Sequence, residues 1–235
     1  MLCKIADLIV EIPETGDMVH RCQEYLVSNN EKAQIILNPD YYDFTRWPKA
    51  SEDLSIYMES GFQFYLKLLC FEGLMLHASA VELKGKAYLF SGACGVGKST
   101  HTSLWKVAFG DAAQVFNDDK PALRYEDGRW FAYGTPWCGK DGINQNKKVP
   151  LAGICFLKQA ENNTICRLTP QESAVKVISQ TMYKFKDVQN LYRMLSHVDK
   201  LVRDIPIYEL NSKPVVEAAH LSFDTMYRGA LEVGL

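Results

Sequence analysis

Between an apolar run at 87–90 and a helix-compatible segment at 99–107 stands Gly92-Ala93-Cys94-Gly95-Val96-Gly97-Lys98-Ser99, followed by Thr100. The stretch satisfies G-x-x-x-x-G-K-[ST] in full, with a strand before it and a helix after it. A strand entering and a helix leaving are the context that the mechanics of this motif require. Glycines at 92, 95 and 97 let the backbone curl until successive N–H groups point inward at phosphate oxygens, and the helix start adds partial positive charge. Lys98 is placed for the β and γ phosphates, and the Ser99 hydroxyl for one magnesium position. Residues Gly92, Ala93, Cys94, Gly95, Val96, Gly97, Lys98, Ser99 and Thr100 are therefore the candidate nucleotide-binding residues, with ATP and Mg²⁺ as the expected cofactors. The alternative is a glycine-rich turn that binds nothing.

Asn117-Asp118-Asp119 follows a short predicted strand at 113–116. Adjacent carboxylates repel each other, so such a pair is best tolerated where a metal or a cation offsets it. One can hold magnesium while the other takes the proton of an attacking hydroxyl; a solvated turn is the competing reading. His77 lies on a strand whose hairpin partner leads into the glycine turn, within reach of phosphates bound there, although a hydrogen-bonded core histidine is the plainer alternative. The stretch 134–148 reads as a long loop. Its Lys140, Lys147 and Lys148 are candidates for neutralising phosphate, and Trp137 for covering a ligand; a surface flap with solvated lysines is the other reading.

Charge excludes several classes of partner. With 26 Lys plus Arg against 28 Asp plus Glu, the net charge of −2 supplies no field for a polyanion, so no nucleic-acid partner is expected. Glu11, Pro13 and Glu14 interrupt the opening segment where a secretory signal would continue, and no stretch is apolar enough to span a bilayer. A cytoplasmic protein without a membrane partner follows as the expectation. Seven scattered cysteines without a C-x-x-C pair indicate reduced thiols rather than a zinc site or a disulfide framework.

Periodicity places the remaining elements. Apolar runs at 5–10 and 33–37 read as strands, with a short helix at 21–27 between them. Ser51 caps a predicted amphipathic helix reaching Cys70. Runs at 74–83 and 86–91 form a predicted hairpin around Lys84-Gly85, and a second hairpin turns on Asp127-Gly128. A third is predicted from 151–157 and 164–168 around Glu161-Asn162-Asn163. Thr169-Pro170-Gln171-Glu172 is a capping box opening a helix to about Lys184, followed by a helix at 187–202, a strand at 206–210 and a helix at 214–227. At 235 residues the chain counts as about 1.6 nominal domains. The division expected is a small N-terminal α/β portion, 1–72, packed on a main domain, 73–235.

His77, the loop GACGVGKS and the pair NDD together resemble the catalytic domain of HPr kinase/phosphorylase, whose fold is shared with phosphoenolpyruvate carboxykinase. The resemblance implies a P-loop α/β domain with a mixed sheet, antiparallel hairpins and C-terminal helices. It implies an ATP- and Mg²⁺-dependent kinase in which Lys98 contacts phosphates, Ser99 and Asp118 serve the metal, and Asp119 is the general base. His77 is then an active-site residue, and Lys140 is taken to assist from the opposite side. Where that family carries a Glu-containing metal signature this chain has GTPWCGK, which points to an acceptor other than HPr. Smaller relatives phosphorylate serine of peptides or small hydroxyl compounds, so the expected partner is a peptide, protein or small-molecule hydroxyl acceptor, with homo-oligomerisation left open. A nucleotide-sensing module without turnover and a kinase or carboxykinase acting on a small metabolite are the alternatives.

Overall fold

The first turn departs from what periodicity suggests. The computed structural model describes residues 1–28, 30–181 and 187–235, and in it the run 5–10 is broken by Ala6 and Asp7, both at positive φ (51° and 58°). Two strands result, β1 (Leu2–Ile5) and β2 (Leu8–Glu11). Neither turn residue is glycine, and the conformation is held from outside: Arg124 Nη1 donates to Ala6 O at 2.7 Å, and Asp7 pairs with Lys4 and Lys148. α1 (Met18–Arg21) and a 3₁₀ turn (Gln23–Tyr25) replace the helix expected at 21–27. The strand expected at 33–37 shortens to β3 (Ile35–Ile36), which completes a three-stranded sheet in the order β1-β2-β3.

α2 (Glu52–Leu68) begins where expected, with Ser51 Oγ accepting from the Leu54 N–H at 3.3 Å. The predicted strand 74–83 is two strands, β4 (Gly73–Met75) and β5 (Ala78–Leu83), separated at Leu76 and His77. The break sends β4 to a different neighbour: β4 pairs with the strand Ala122–Glu126, and β5 pairs with the strands Lys86–Ser91 and Gln114–Asp119. β6 (Lys86–Ser91) closes the hairpin with β5 over Lys84-Gly85, both at positive φ as a two-residue turn requires. Next come α3 (Lys98–Phe109), β7 (Gln114–Asp119), β8 (Ala122–Glu126) and β9 (Arg129–Tyr133). β7 runs three residues beyond the predicted end, so Asp118 and Asp119 lie within the strand rather than after it.

β10 (Lys148–Gln159) and β11 (Thr164–Arg167) do not form the predicted hairpin. β12 (Ile207–Ser212) inserts between them, parallel to β10 and antiparallel to β11. Buried Ile207, Tyr208 and Leu210 complete the apolar neighbourhood of β10 better than the largely exposed Thr164, Cys166 and Arg167 of β11, which suit an edge. α4 (Pro170–Gln180) opens with the complete capping box at Thr169 and Glu172; the expected continuation to Lys184 lies outside the described residues. α5 (Val188–Asp204) and α6 (Val216–Glu232) follow, the latter longer than predicted.

The large mixed sheet runs β4-β8-β9-β10-β6-β5-β7, extended from β10 by β12 and β11. Strand alternation divides its core between two faces. On β6, Ala87 and Leu89 face one cluster with Phe64 and Leu68 of α2 and Met194 and Leu201 of α5, while Tyr88 and Phe90 face another with Trp105 of α3 and Phe223 and Met226 of α6. The first cluster also takes in Cys3, Ile5 and Val10 of the small sheet. Each such large side chain contributes about 1.5–3 kcal/mol on burial. Among the described residues, no helix is long and apolar enough to cross a membrane.

Candidate active site

β5 lies between β6 and β7, and its register sets the geometry of the site. Ala78 is opposite Ser91 on one side and opposite Asp119 on the other; Ser79 is likewise flanked by Phe90 and Asp118. The turn leaving β6 and the carboxylates ending β7 therefore emerge at the same end of the sheet, about 10 Å apart at two strand spacings. His77, the residue just before β5, stands between them. Its carbonyl accepts from Ser91 Oγ at 2.7 Å.

The turn itself follows from local backbone chemistry. Gly92, Gly95 and Gly97 have φ of 140°, 78° and 108°, a region that side-chain-bearing residues rarely adopt. A Cβ built at Gly95 or Gly97 would meet only open space, so these positions are glycine for conformation rather than for lack of room. No side chain caps α3, and the N–H groups of Cys94, Gly95, Gly97, Lys98, Ser99 and Thr100 donate to nothing among the described residues. Six unpartnered donors at the start of a twelve-residue helix form an anion cradle. Lys98 Nζ reaches back to Gly92 O at 3.2 Å and Ala93 O at 3.3 Å. Burial lowers its pKa, which Cys94, Asp119 and Asp118 counteract in part.

Ser99 Oγ donates to Asp118 Oδ1 at 3.2 Å and Oδ2 at 3.0 Å, so the two side chains expected to serve a metal already touch. Among the described residues, no three His, Cys, Asp or Glu side chains cluster into a metal cage. A hydroxyl and one carboxylate are a fitting donor set for Mg²⁺, which keeps several waters and takes its other oxygens from phosphate.

Asp119 is the most heavily contacted carboxylate of the site. Its Oδ2 accepts from Lys120 Nζ at 2.8 Å and Tyr57 Oη at 2.9 Å, and its Oδ1 lies 3.4 Å from His77 Nε2. Burial raises the Asp119 pKa, and Lys120, His77 and Tyr57 more than reverse that, leaving it below the usual carboxylate range. Burial and the charge of Lys98 push His77 down against the pull of Asp119, which favours the neutral ring. Nδ1 of His77 lies 3.2 Å from Gln180 Oε1. Asp119 also carries φ of 140°, a strain of order 1–3 kcal/mol for a residue with a side chain, and strain of this kind gathers at working sites.

The stretch 134–147 is pinned, not a free flap. Asn144 and Cys138 bridge to Asn117 and Asp119, and the Gly139 N–H donates to Asp118 O. A Cβ at Gly139 would come 2.9 Å from that oxygen, so glycine there permits the approach. Trp137 does not cover a ligand: it is fully buried, stacked on Phe64 at 4.7 Å, with Nε1 donating to Ser60 Oγ. Lys147 pairs with Glu82, and Lys148 with Asp7 and Glu126, so neither is directed at phosphate. Lys140 is exposed, and among the described residues no hydrogen bond or ion pair ties it to the cluster.

The family model of the SynChlorMet cassette protein ScmC matches residues 48–215. The chain belongs to the ScmC family. A search of curated proteins found no match. Among solved structures, the Hpr(Ser) kinase/phosphatase from Coxiella burnetii aligns over 67% of this chain and 91% of its own, with 12% identity and a TM-score of 0.39.

The ScmC-matched span takes in Tyr57, His77, the turn at 92–99 and Asp118 to Lys120, but not Arg21. Tyr57, Lys120, Arg21 and Gln180 are the site residues that sequence reasoning missed. Lys120 was visible, a cation directly after two carboxylates. Tyr57 was hidden among the apolar positions of a predicted helix, and nothing local marks Arg21 or Gln180. His101, without an expected role, ties α3 to α6 in this ScmC-family chain: Nε2 meets Ser222 Oγ at 3.0 Å, and burial takes its pKa down to about 4.

Proposed function

We propose that this ScmC-family chain is an ATP- and Mg²⁺-dependent kinase that transfers the γ-phosphoryl group to a hydroxyl, most readily a serine of a peptide or protein. One observation carries the reading: an unpartnered amide cradle with Lys98, the touching pair Ser99–Asp118, and an ionised Asp119 beside His77 all stand at one end of one sheet. In this reading the turn at 92–99 is a phosphate-binding loop. A cleft of about 570 Å³ beside it, lined by Leu104, Leu157, Lys158, Ser212 and Lys213, has the size of a nucleoside site. Mg²⁺, held by Ser99 and Asp118, would offset the charge of the transferring phosphoryl group.

The acceptor enters beside His77, Lys120 and Gln180, where a smaller cleft of about 160 Å³ opens. Its oxygen attacks the γ phosphorus, the bond to the β–γ bridging oxygen breaks with the electron pair leaving on ADP, and the hydroxyl proton passes to Asp119. A carboxylate with a depressed pKa suits a loose transition state, in which the proton moves late and the base chiefly orients the attacking oxygen. Lys98 and the loop amides stabilise charge on the transferred group. Residues 73–235 form the kinase body, with 1–72 packed on it; Lys140 is left with phosphate or acceptor contacts at the rim.

Calorimetry with MgATP, followed by ADP release across a panel of serine peptides and small hydroxyl compounds, tests the proposal. Metal-dependent ATP binding and turnover with at least one acceptor are expected. No heat with MgATP would overturn the reading.

A further inference from the structure

The two oxygens of Asp119 are not equivalent. Two donors sit on Oδ2, Tyr57 Oη and Lys120 Nζ, whereas among the described residues Oδ1 faces only His77. Tyr57 is itself held from three directions. Its hydroxyl also lies 3.1 Å from Cys138 O, the Lys120 ammonium stands 4.9 Å from its ring centroid, and the Arg21 guanidinium stands 4.9 Å from the same centroid. Arg21 is fastened in turn, Nη1 meeting Cys138 O at 3.1 Å and Cys138 Sγ at 3.0 Å. A chain of contacts thus runs from α1, outside the ScmC-matched span, through α2 to the carboxylate ending β7.

We infer that Tyr57, clamped by Arg21, is a positioning residue for Asp119, turning the carboxylate so that Oδ1 rather than Oδ2 meets the attacking oxygen beside His77. The inference rests on the kinase reading above and deepens it: the N-terminal portion is part of the catalytic apparatus. A hydroxyl on Oδ2 fixes the rotation of the carboxylate without touching nucleotide or acceptor. A cation stacked on the phenol ring holds that hydroxyl in place. Bonds to an ionised group are the strong ones, so losing this one frees the rotation even though Lys120 remains.

The test uses the full chain and two probes, MgADP alone and MgADP with aluminium fluoride, which imitates the phosphoryl group in transfer with an attacking oxygen opposite it. Tyr57→Phe keeps the ring and its packing; Arg21→Met keeps the bulk of the clamp. Both variants are expected to bind MgADP as the unmodified chain does and to keep its thermal midpoint. The additional affinity gained with aluminium fluoride should fall roughly tenfold in Tyr57→Phe and by less in Arg21→Met. The kcat for MgATP turnover should fall in step while KM for ATP holds. An unchanged gain in both variants overturns the positioning role, and so does an equal loss of plain MgADP affinity. Failure of the unmodified chain to bind MgADP overturns the nucleotide reading itself and this inference with it, an outcome distinct from the other two.

Discussion

The turn at 92–99 and the cluster around Asp119 stand at the same end of one sheet and are built in opposite ways. Every part of the turn comes from consecutive residues: glycines that reach positive φ, amides left open at a helix start, and a lysine folding back on carbonyls five and six residues behind it. The cluster draws Arg21 from α1, Tyr57 from α2, His77 from the break before β5, Asp119 from the end of β7 and Lys120 just after it, and Cys138 from the pinned stretch after β9. A site of the first kind tolerates change far away in the molecule. One of the second kind depends on packing at several places at once, so under the proposed kinase reading binding should survive changes that stop turnover.

The sharpest break between the two regions is Asp119→Asn. It should cut kcat by about 10²–10⁴-fold while MgATP affinity, read by calorimetry, stays as it was. Equal turnover would show that the two regions do not divide the work as proposed. Trp137→Ala comes next. Removing a fully buried indole stacked on Phe64 should lower unfolding free energy by about 3–5 kcal/mol in a denaturant titration. Because Cys138 follows directly, the surviving folded protein should lose turnover before it loses ATP binding.

Asp118→Asn joins the regions, since Asp118 touches Ser99 across the gap. The Mg²⁺ concentration needed for half-maximal ATP binding should rise by at least about tenfold, with little change in thermal midpoint. The smallest effect belongs to Asp7, which is remote from both regions. Burial raises its carboxyl, but Lys148 and Lys4 bring it from 3.8 down to about 2. A depressed folded pKa contributes stability that is present above about 3.8 and lost as pH falls through about 2. For a partly exposed pair this amounts to about 1 kcal/mol or less. Asp7→Asn should flatten the acid limb of a stability curve by lowering the neutral plateau by about 1 kcal/mol or less while leaving stability below about pH 2 unchanged.

The same division governs what could be read along the chain. The capping box at Thr169, the start of α2 at Ser51 and the turns at Lys84-Gly85 and Asp127-Gly128 were legible because each is settled by neighbours a few residues apart. The pairing of β10 with β12 was not, because a turn signal at Glu161-Asn162-Asn163 competes with apolar residues some fifty positions later, and burial decides such contests. The turn at Ala6-Asp7 was missed for a related reason: its support comes from Arg124 and Lys148. Lys147, Lys148 and Trp137 were misread because composition shows what a side chain carries and not what already holds it.

Eight consecutive residues from Gly92 to Ser99 were enough to specify a curled backbone and open amides at a helix start, since each requirement is met within the run. Folding decided which carboxylate oxygen faces His77, that a tyrosine from the N-terminal portion reaches that carboxylate with an arginine stacked on its ring, and that two of the three loop lysines are spent on ion pairs elsewhere. Those outcomes depend on contacts between residues separated by dozens of positions. Only the packing of the two faces of the sheet brings such residues within hydrogen-bonding distance.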